Sequence, residues 1–240
     1  SMVALNFYGS ISDDALEAGC AAVMEFEAYL AKRIEAVKAH PDGSLLSALV
    51  AAEEDGERLS RDELVANVLL LLNAGNETTS ILLTNACHRF VRDGLFQALR
   101  ADLSLLPAAI EEVLRHEAPV QFIGRIVSEP TELGGVALAE GDLVLIMLAA
   151  ADRDASHAPH PDDFDMTRAP NRHLAFGSGP HMCAGIQLAR LEARVAMATF
   201  LNTFNAVSIT DNGLRHGPNP NLRAFQALPL TLTPVSSTLS

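Results

Sequence analysis

The alternation of apolar and polar residues predicts a chain built mainly of helices. Apolar positions recur at helical spacing over residues 13–39 and again over 45–53. Ser60, followed three residues later by Glu63, forms a capping box at the start of a third helix, which no proline interrupts through about residue 91. This long helix is apolar on most sides, and we therefore expect it to be central and buried.

In the second half of the chain, the sequence pattern changes several times between those typical of helix, strand and loop. A helix is predicted over 107–117, between two prolines, and short runs separated by glycine and proline over 121–146 predict small strands. Residues 152–182 form a long loop rich in proline and histidine, of the kind that is usually functional. Helix returns over 183–203, and 207–232 suggests a few short strands. The predicted fold is mainly α with a minor β-sheet, in a single domain covering 1–240.

Composition narrows the classes of function. Hydrophobic residues make up 49% of the 240 residues, which is enough for a sizeable core. The net charge of −13 argues against a nucleic-acid binder and disfavours an anionic membrane surface, and no apolar run is long enough to span a bilayer. The three cysteines are far apart, which argues against a disulfide framework or a structural zinc site and favours the cytoplasm.

Cys183 stands in the glycine-rich stretch "FGSGPHMCAG", where packing alone does not require a cysteine. A helix begins there in the prediction, and a helix N-terminus favours the thiolate, the form that binds metal or attacks carbon. As a nucleophile the thiolate would need His181 or His173 as a base. As a metal ligand it would act alone, as in haem-thiolate proteins. A free cysteine placed there by chance is equally compatible with this loop.

A second unusual stretch, "NAGNETTS", interrupts the long apolar helix at residues 73–80. Gly75 and the paired threonines lower helix stability, and Glu77 is an acid among leucines. The Thr78 hydroxyl is able to bond the carbonyl of Ala74 and bend or open the helix. These unfavourable choices at one turn indicate a ligand site, and a polar stripe that meets solvent is the alternative.

Taken in order, the motifs resemble those of the cytochrome P450 family of haem-thiolate monooxygenases. The stretch "AGNETT" is similar to the family's oxygen-activation turn, "EEVLR" supplies a Glu-x-x-Arg helix, and "PDDFDMTR" matches a Pro-x-x-Phe-x-x-x-Arg segment. "LARLEARVA" is typical of bacterial members. The cysteine loop matches the family at every fixed position: Phe176, Gly179, His181, Cys183 and Gly185.

The resemblance implies a role for each of these residues. Cys183 would be the axial ligand of a haem iron, within a loop formed by Phe176, Gly179 and Gly185. Glu77 and Thr78 would be the acid–alcohol pair that guides protons during oxygen activation. By the resemblance, the donors to the haem carboxylates would be Arg125, His173 and His181. The ion-pair cluster that supports the cysteine loop would be Glu112, Arg115 and Arg168.

The resemblance also implies partners, and it leaves two classes of function open. The first is an oxidoreductase that inserts one oxygen atom into a small organic substrate, with electrons from NAD(P)H through a ferredoxin-type protein. The second is a non-catalytic relative that binds a partner enzyme. The family's usual N-terminal part is missing from this sequence, so we expect self-association or a second chain that covers the gap. Substrate contacts are expected at Ala74, Val120, Ile123 and Phe225.

Overall fold

The computed structural model describes residues 12–54, 57–210 and 213–235. Helices α1 to α7 span, in chain order, Asp13–Ala39, Leu45–Ala51, Arg61–Arg92, Phe96–Ala101, Leu106–His116, Leu148–Ala151 and Ile186–Thr203. Strands β1 to β8 span Glu53–Glu54, Glu57–Arg58, Ile123–Ile126, Thr131–Leu133, Val136–Leu138, Leu143–Ile146, Phe204–Ile209 and Leu230–Pro234. The mainly helical fold with minor β-structure is confirmed.

The chain divides into two compact units, Ser1–Asn76 and Glu77–Ser240. In the first unit α1 contacts α2, and Leu30, Ile34 and Val37 of α1 are buried. The predicted capping box at the start of α3 is confirmed. The Ser60 N–H donates to Glu63 Oε2 at 2.8 Å, and the Glu63 N–H donates to Ser60 Oγ at 3.3 Å.

The core of the second unit forms where one side each of α3, α4, α5 and α7 meet. The ring of Phe96 on α4 meets that of Phe200 on α7 edge to face, with centroids 5.9 Å apart. α5 contributes most to this core, since five of its residues are buried in it. The buried set is Leu82, Ala86, Phe90, Phe96, Leu99, Leu106, Ala109, Ile110, Val113, Leu114, Ala193, Met197 and Leu201.

The prediction that the long helix is buried is wrong for part of its first half, although Leu64 near its start is buried. Leu70, Leu71 and Leu72 are 63%, 43% and 52% exposed, whereas Leu82 and Phe90 are 2% and 0% exposed. Successive helical residues point about 100° apart, so consecutive leucines cannot all face one neighbour. The described residues provide a packing partner mainly for the second half. Of the helices in the described part of the chain, none is long and apolar enough to cross a membrane.

The strands pair as antiparallel two-stranded units: β1 with β2, β3 with β6, β4 with β5, and β7 with β8. Asn85 on α3 connects the helical core to the irregular C-terminal segment. Its side-chain amide donates to the carbonyls of Glu117 and Arg223 at 3.0 and 3.1 Å. This buried residue therefore fixes the stretch after α5 and the stretch before β8 to the same helix.

Several elements differ from the prediction, among them two helices of the second unit. Helix α4, Phe96–Ala101, was not predicted, because six residues are too few to show a clear helical period. Helix α7 begins at Ile186 rather than at Cys183, with Gly185 as its N-cap residue. Cys183 therefore lies in the loop before the helix and not in its first turn.

Candidate functional site

The loop before α7 turns back on itself around a backbone hydrogen bond. The Cys183 N–H donates to the Phe176 carbonyl at 2.9 Å, and the Met182 N–H donates to the Gly179 carbonyl at 3.0 Å. Gly177 and Gly179 adopt positive φ angles of 69° and 75°, which residues with a side chain rarely tolerate. The glycines of "FGSG" are thus required by the backbone of this loop.

Cys183 is a free and exposed cysteine. Gly185 beside it has a φ of −87°, which any residue adopts, and the closest atom to a Cβ built there would be Cys183 Sγ at 3.9 Å. Nothing in the described chain therefore requires a glycine at 185. The missing side chain leaves space next to the sulfur. Among the described residues there is no group of three or more His, Cys, Asp or Glu side chains able to hold a metal ion.

Two arginines and a glutamate tie the long loop before Cys183 to α5. Arg115 donates to both oxygens of Glu112, and Arg168 Nε lies 3.3 Å from Glu112 Oε1. Arg115 also donates to the carbonyls of Asp152 and Pro161, at 3.0 and 2.7 Å. The ion-pair cluster expected from the resemblance is therefore confirmed, and it gives the irregular segment fixed partners.

Asp152 holds the same loop closer to the cysteine. Its carboxylate is fully buried, and its Oδ1 accepts the Leu174 N–H at 2.8 Å. Burial raises the pKa of Asp152, and the bond from the Leu174 N–H opposes that shift. Leu174 lies two residues before Phe176. The entry to the cysteine loop is thus fixed to the end of α6.

Glu111, next to Glu112 on α5, has different partners. Its Oε1 accepts from Arg190 Nε at 2.7 Å, and its Oε2 lies 2.6 Å from Arg190 Nη2 and 3.0 Å from His173 Nε2. Burial would raise the pKa of Glu111, but the hydrogen bonds from His173 and Arg190 outweigh it and hold the pKa at about 2. Phe176 lies against both partners, with its ring centroid 5.8 Å from that of His173 and 5.0 Å from Arg190 Cζ.

The three predicted donors to haem carboxylates have different surroundings. His173 is 3% exposed and is already paired with Glu111. Arg125 is exposed on β3, and its only side-chain hydrogen bond among the described residues goes to the Gly124 carbonyl at 2.8 Å. His181 is exposed on the short 3₁₀ turn before Cys183, with no hydrogen bond from its ring to any described residue. Arg125 and His181 are accessible to an anionic group.

Glu77 and Thr78 lie in an unbroken stretch of α3, both partly buried. The helix is continuous across 73–80 and is not opened there. Thr78 lies one turn before Leu82, on the face of α3 that reaches the core. Of the expected substrate contacts, Phe225 has a defined environment, since its ring lies between those of His88 and His216, with centroids 4.6 and 4.7 Å away.

Sequence reasoning missed Glu111, Asp152 and Arg190. Glu111 precedes Glu112, whose partner Arg115 is three residues away and therefore visible in the sequence. The partners of Glu111 itself, His173 and Arg190, are 62 and 79 residues further along the chain. Asp152 opens the predicted long loop and shows no local pattern. Arg190 lies in the "LARLEARVA" segment, in the second turn of α7. Its closeness to the cysteine loop in the sequence was the signal that could have indicated its role.

Comparison with known proteins shows the family to which the chain is related. Residues 83–225 match the family model described as "Cytochrome P450". The chain is 43% identical over 199 residues to the putative cytochrome P450 YjiB of Bacillus subtilis, covering 80% of this chain and 50% of that protein. It is 41% identical over 214 residues to the monooxygenase PikC of Streptomyces venezuelae, covering 87% and 51%.

A solved structure gives the same result for the fold. The crystal structure of CYP109E1 from Bacillus megaterium, in complex with corticosterone, superposes with a TM-score of 0.86 at 34% identity, covering 92% of this chain and 60% of that one. The chain thus spans about half the length of the curated relatives it matches. By its family match, its similarity to these proteins and its fold, the chain belongs to the cytochrome P450 family.

Proposed function

We propose that this chain forms the cysteine-ligand part of a haem-thiolate monooxygenase. The observation that supports the proposal most directly is the tight loop that exposes a single thiol, Cys183, beside the open space at Gly185. Haem fits this donor set because it needs only one protein ligand on the thiolate side. Cytochrome P450 proteins bind haem and take their electrons from NAD(P)H through redox partners.

When bound, the haem would supply the activation of dioxygen that places one oxygen atom in a small organic substrate. Cys183 would hold its iron. Arg125 and His181 are suited to bind its carboxylates, since both are exposed and neither is paired with an acid among the described residues. His173 stays a prediction for the same role, although both nitrogens of its ring already have partners in the protein, Glu111 and the Ala175 N–H.

Glu77 and Thr78 are proposed to move protons. A threonine hydroxyl both donates and accepts hydrogen bonds, so it is able to pass a proton on without a change of charge. The neighbouring carboxylate takes up a proton and releases it. Both side chains are partly buried, so solvent contact is restricted but retained. This pair would therefore deliver protons, while Cys183 and its loop set the properties of the bound group.

The proposal includes partners. A ferredoxin-type protein would supply electrons, and a small organic molecule would be the substrate, in the cytoplasm. Three apolar side chains on α7, Leu188, Leu191 and Val195, are 59%, 52% and 57% exposed. We propose that this face is covered in solution by a second copy of the chain or by another polypeptide, since monomers rarely leave such faces open.

The alternative is a non-catalytic family member that serves only to bind a partner enzyme. Such a protein would need the fold but neither a free thiol at Cys183 nor the pair Glu77 and Thr78. The presence of all three favours the monooxygenase.

An absorption spectrum of the reduced protein with carbon monoxide tests the proposal. The wild type should show the red-shifted band of a thiolate-ligated haem, and Cys183→Ala should lose it. Cys20→Ala and Cys87→Ala are matched controls. Cys87 cannot substitute as the ligand, because burial raises the pKa of its thiol to about 11. A colourless wild type, or an unchanged spectrum in Cys183→Ala, would rule the proposal out.

A further inference from the structure

We propose that Glu111 is a positioning residue for Cys183. Glu111 acts by holding His173 and Arg190 against the Phe176 ring. Phe176 in turn provides the backbone carbonyl that accepts the Cys183 N–H. The consequence for the iron ligand rests on the proposed function. The series of hydrogen bonds and ring contacts itself does not, because every member belongs to the protein.

The first step is the carboxylate. Arg190 forms a two-pronged pair with it at 2.7 and 2.6 Å, the geometry in which arginine binds carboxylates most strongly. The Ala175 N–H donates to His173 Nδ1 at 3.3 Å, which makes Nδ1 the acceptor and leaves the proton on Nε2 for Glu111. Glu111 thus receives three donors, and its low pKa agrees with an ionised carboxylate.

The second step connects the carboxylate to the cysteine loop. His173 lies three residues before Phe176, and Arg190 is in the second turn of α7, so Glu111 joins both ends of the loop to α5. The Arg190 guanidinium lies 5.0 Å from the centroid of the Phe176 ring, within the range of a cation–π contact. The position of that ring is therefore set from three segments of the chain.

The third step concerns the thiol. The Cys183 N–H and the Phe176 carbonyl are 2.9 Å apart, and this bond closes the loop directly at the sulfur-bearing residue. Glutamine at 111 would offer one acceptor oxygen and turn an N–H₂ group towards donors. At least one donor of His173 or Arg190 would then lose its partner, which loosens the Phe176 ring and the bond that depends on it.

Amide hydrogen exchange of the haem-free full chain tests the inference without any cofactor. In Glu111→Gln, exchange at the Cys183 amide should be about tenfold faster, the change expected when a charge-assisted hydrogen bond is lost. Glu192→Gln is the matched control, because it makes the same change of charge on an exposed side chain two residues from Arg190. Arg190→Lys, which keeps the charge but not the fork, should have the same effect to a smaller degree.

The reduction potential of the haem-loaded protein supplies a second readout that a purely structural role would not move. Glu111→Gln and Arg190→Lys should shift the potential and lower the proportion of thiolate-type carbon monoxide complex in the folded fraction, whereas Glu192→Gln should do neither. If Glu111→Gln does not fold, Arg190→Lys decides the question.

Two results would overturn the inference: a Cys183 amide that exchanges freely in the wild type, or variants that lose only thermal stability. A wild type without any thiolate band would instead refute the proposed function and leave the exchange result standing.

Discussion

Arg115 forms a bidentate ion pair with Glu112, one turn earlier on α5. Its Nε donates to Glu112 Oε2 at 2.8 Å, and its Nη2 donates to Oε1 at 2.7 Å. The two side chains are 2% and 0% exposed. The same guanidinium reaches the carbonyls of Asp152, Pro161 and Asp163. The buried Arg115 side chain thus donates hydrogen bonds both to the buried Glu112 carboxylate and to three backbone carbonyls. These carbonyls belong to a segment that has no regular secondary structure of its own.

Replacing Arg115 by lysine should destabilise the fold strongly. Lysine is a point charge that cannot fork, so Glu112 and several carbonyls would lose partners inside the protein. We expect a loss of about 3 kcal/mol in the free energy of unfolding, typical of a broken buried ion pair. Urea denaturation measures it. Lys38→Gln, which removes the exposed pair with Glu35, is the control and should change little. Unfolding of Arg115→Lys at the wild-type midpoint would contradict the prediction.

Thr78→Ala should separate oxygen chemistry from haem binding. If Thr78 organises proton delivery, its loss should direct reducing equivalents to peroxide while the haem spectrum stays unchanged. Peroxide formed per NAD(P)H consumed, in a reconstituted redox system, is the measurement. Thr84→Ala on the same helix is the control, because its hydroxyl donates to the Ser80 carbonyl at 2.8 Å. Equal coupling in wild type and Thr78→Ala would remove Thr78 from the mechanism.

Glu111 should make stability depend on pH in the acid range. Burial alone would raise the pKa of Glu111, but His173 and Arg190 hold it at about 2 in the folded chain, below the ordinary 4.5. The carboxylate therefore stabilises the fold above pH 4.5, and this contribution is lost as the pH falls towards 2. Glu111→Gln should lower the free energy of unfolding by about 3 kcal/mol at neutral pH and by almost nothing near pH 2.

Denaturation of both proteins at a series of pH values checks this dependence. Glu192→Gln serves as the control, because the exposed Glu192 side chain has no hydrogen-bond or ion-pair partner among the described residues. A difference between wild type and Glu111→Gln that does not vary with pH would contradict the predicted role of the charge.

The exposed apolar face of α7 should drive association. Leu188, Leu191 and Val195 follow i, i+3 and i+7 spacing and therefore share one face. Sedimentation should show species larger than the 25.6 kDa monomer, and replacing all three by glutamine should restore the monomer. Met24→Gln, at a position 69% exposed on α1, is the control. A wild type that is monomeric at high concentration would contradict the prediction.

The helices were predictable where the local signal was complete. The bounds of α1 follow from periodicity, and those of α5 follow from the prolines near its two ends, Pro107 and Pro119. The pair Glu112–Arg115 was predictable because its partners are three residues apart. The contacts of Glu111 were not, because neighbouring residues on one helix point about 100° apart and their partners depend on tertiary structure. The exposure of Leu70 to Leu72 was missed for a related reason, since periodicity indicates a helix but not what covers it.

Asn85 has a consequence for the synthesis of the chain. Its amide binds the carbonyl of Arg223, 138 residues further along the sequence. At a translation rate of about 5–20 residues per second, roughly 7 to 28 s pass between the synthesis of the two residues. Throughout that time the core side of α3 lacks its last partners. On the ribosome, this helix is therefore expected to be a binding site for chaperones until the C-terminal segment emerges.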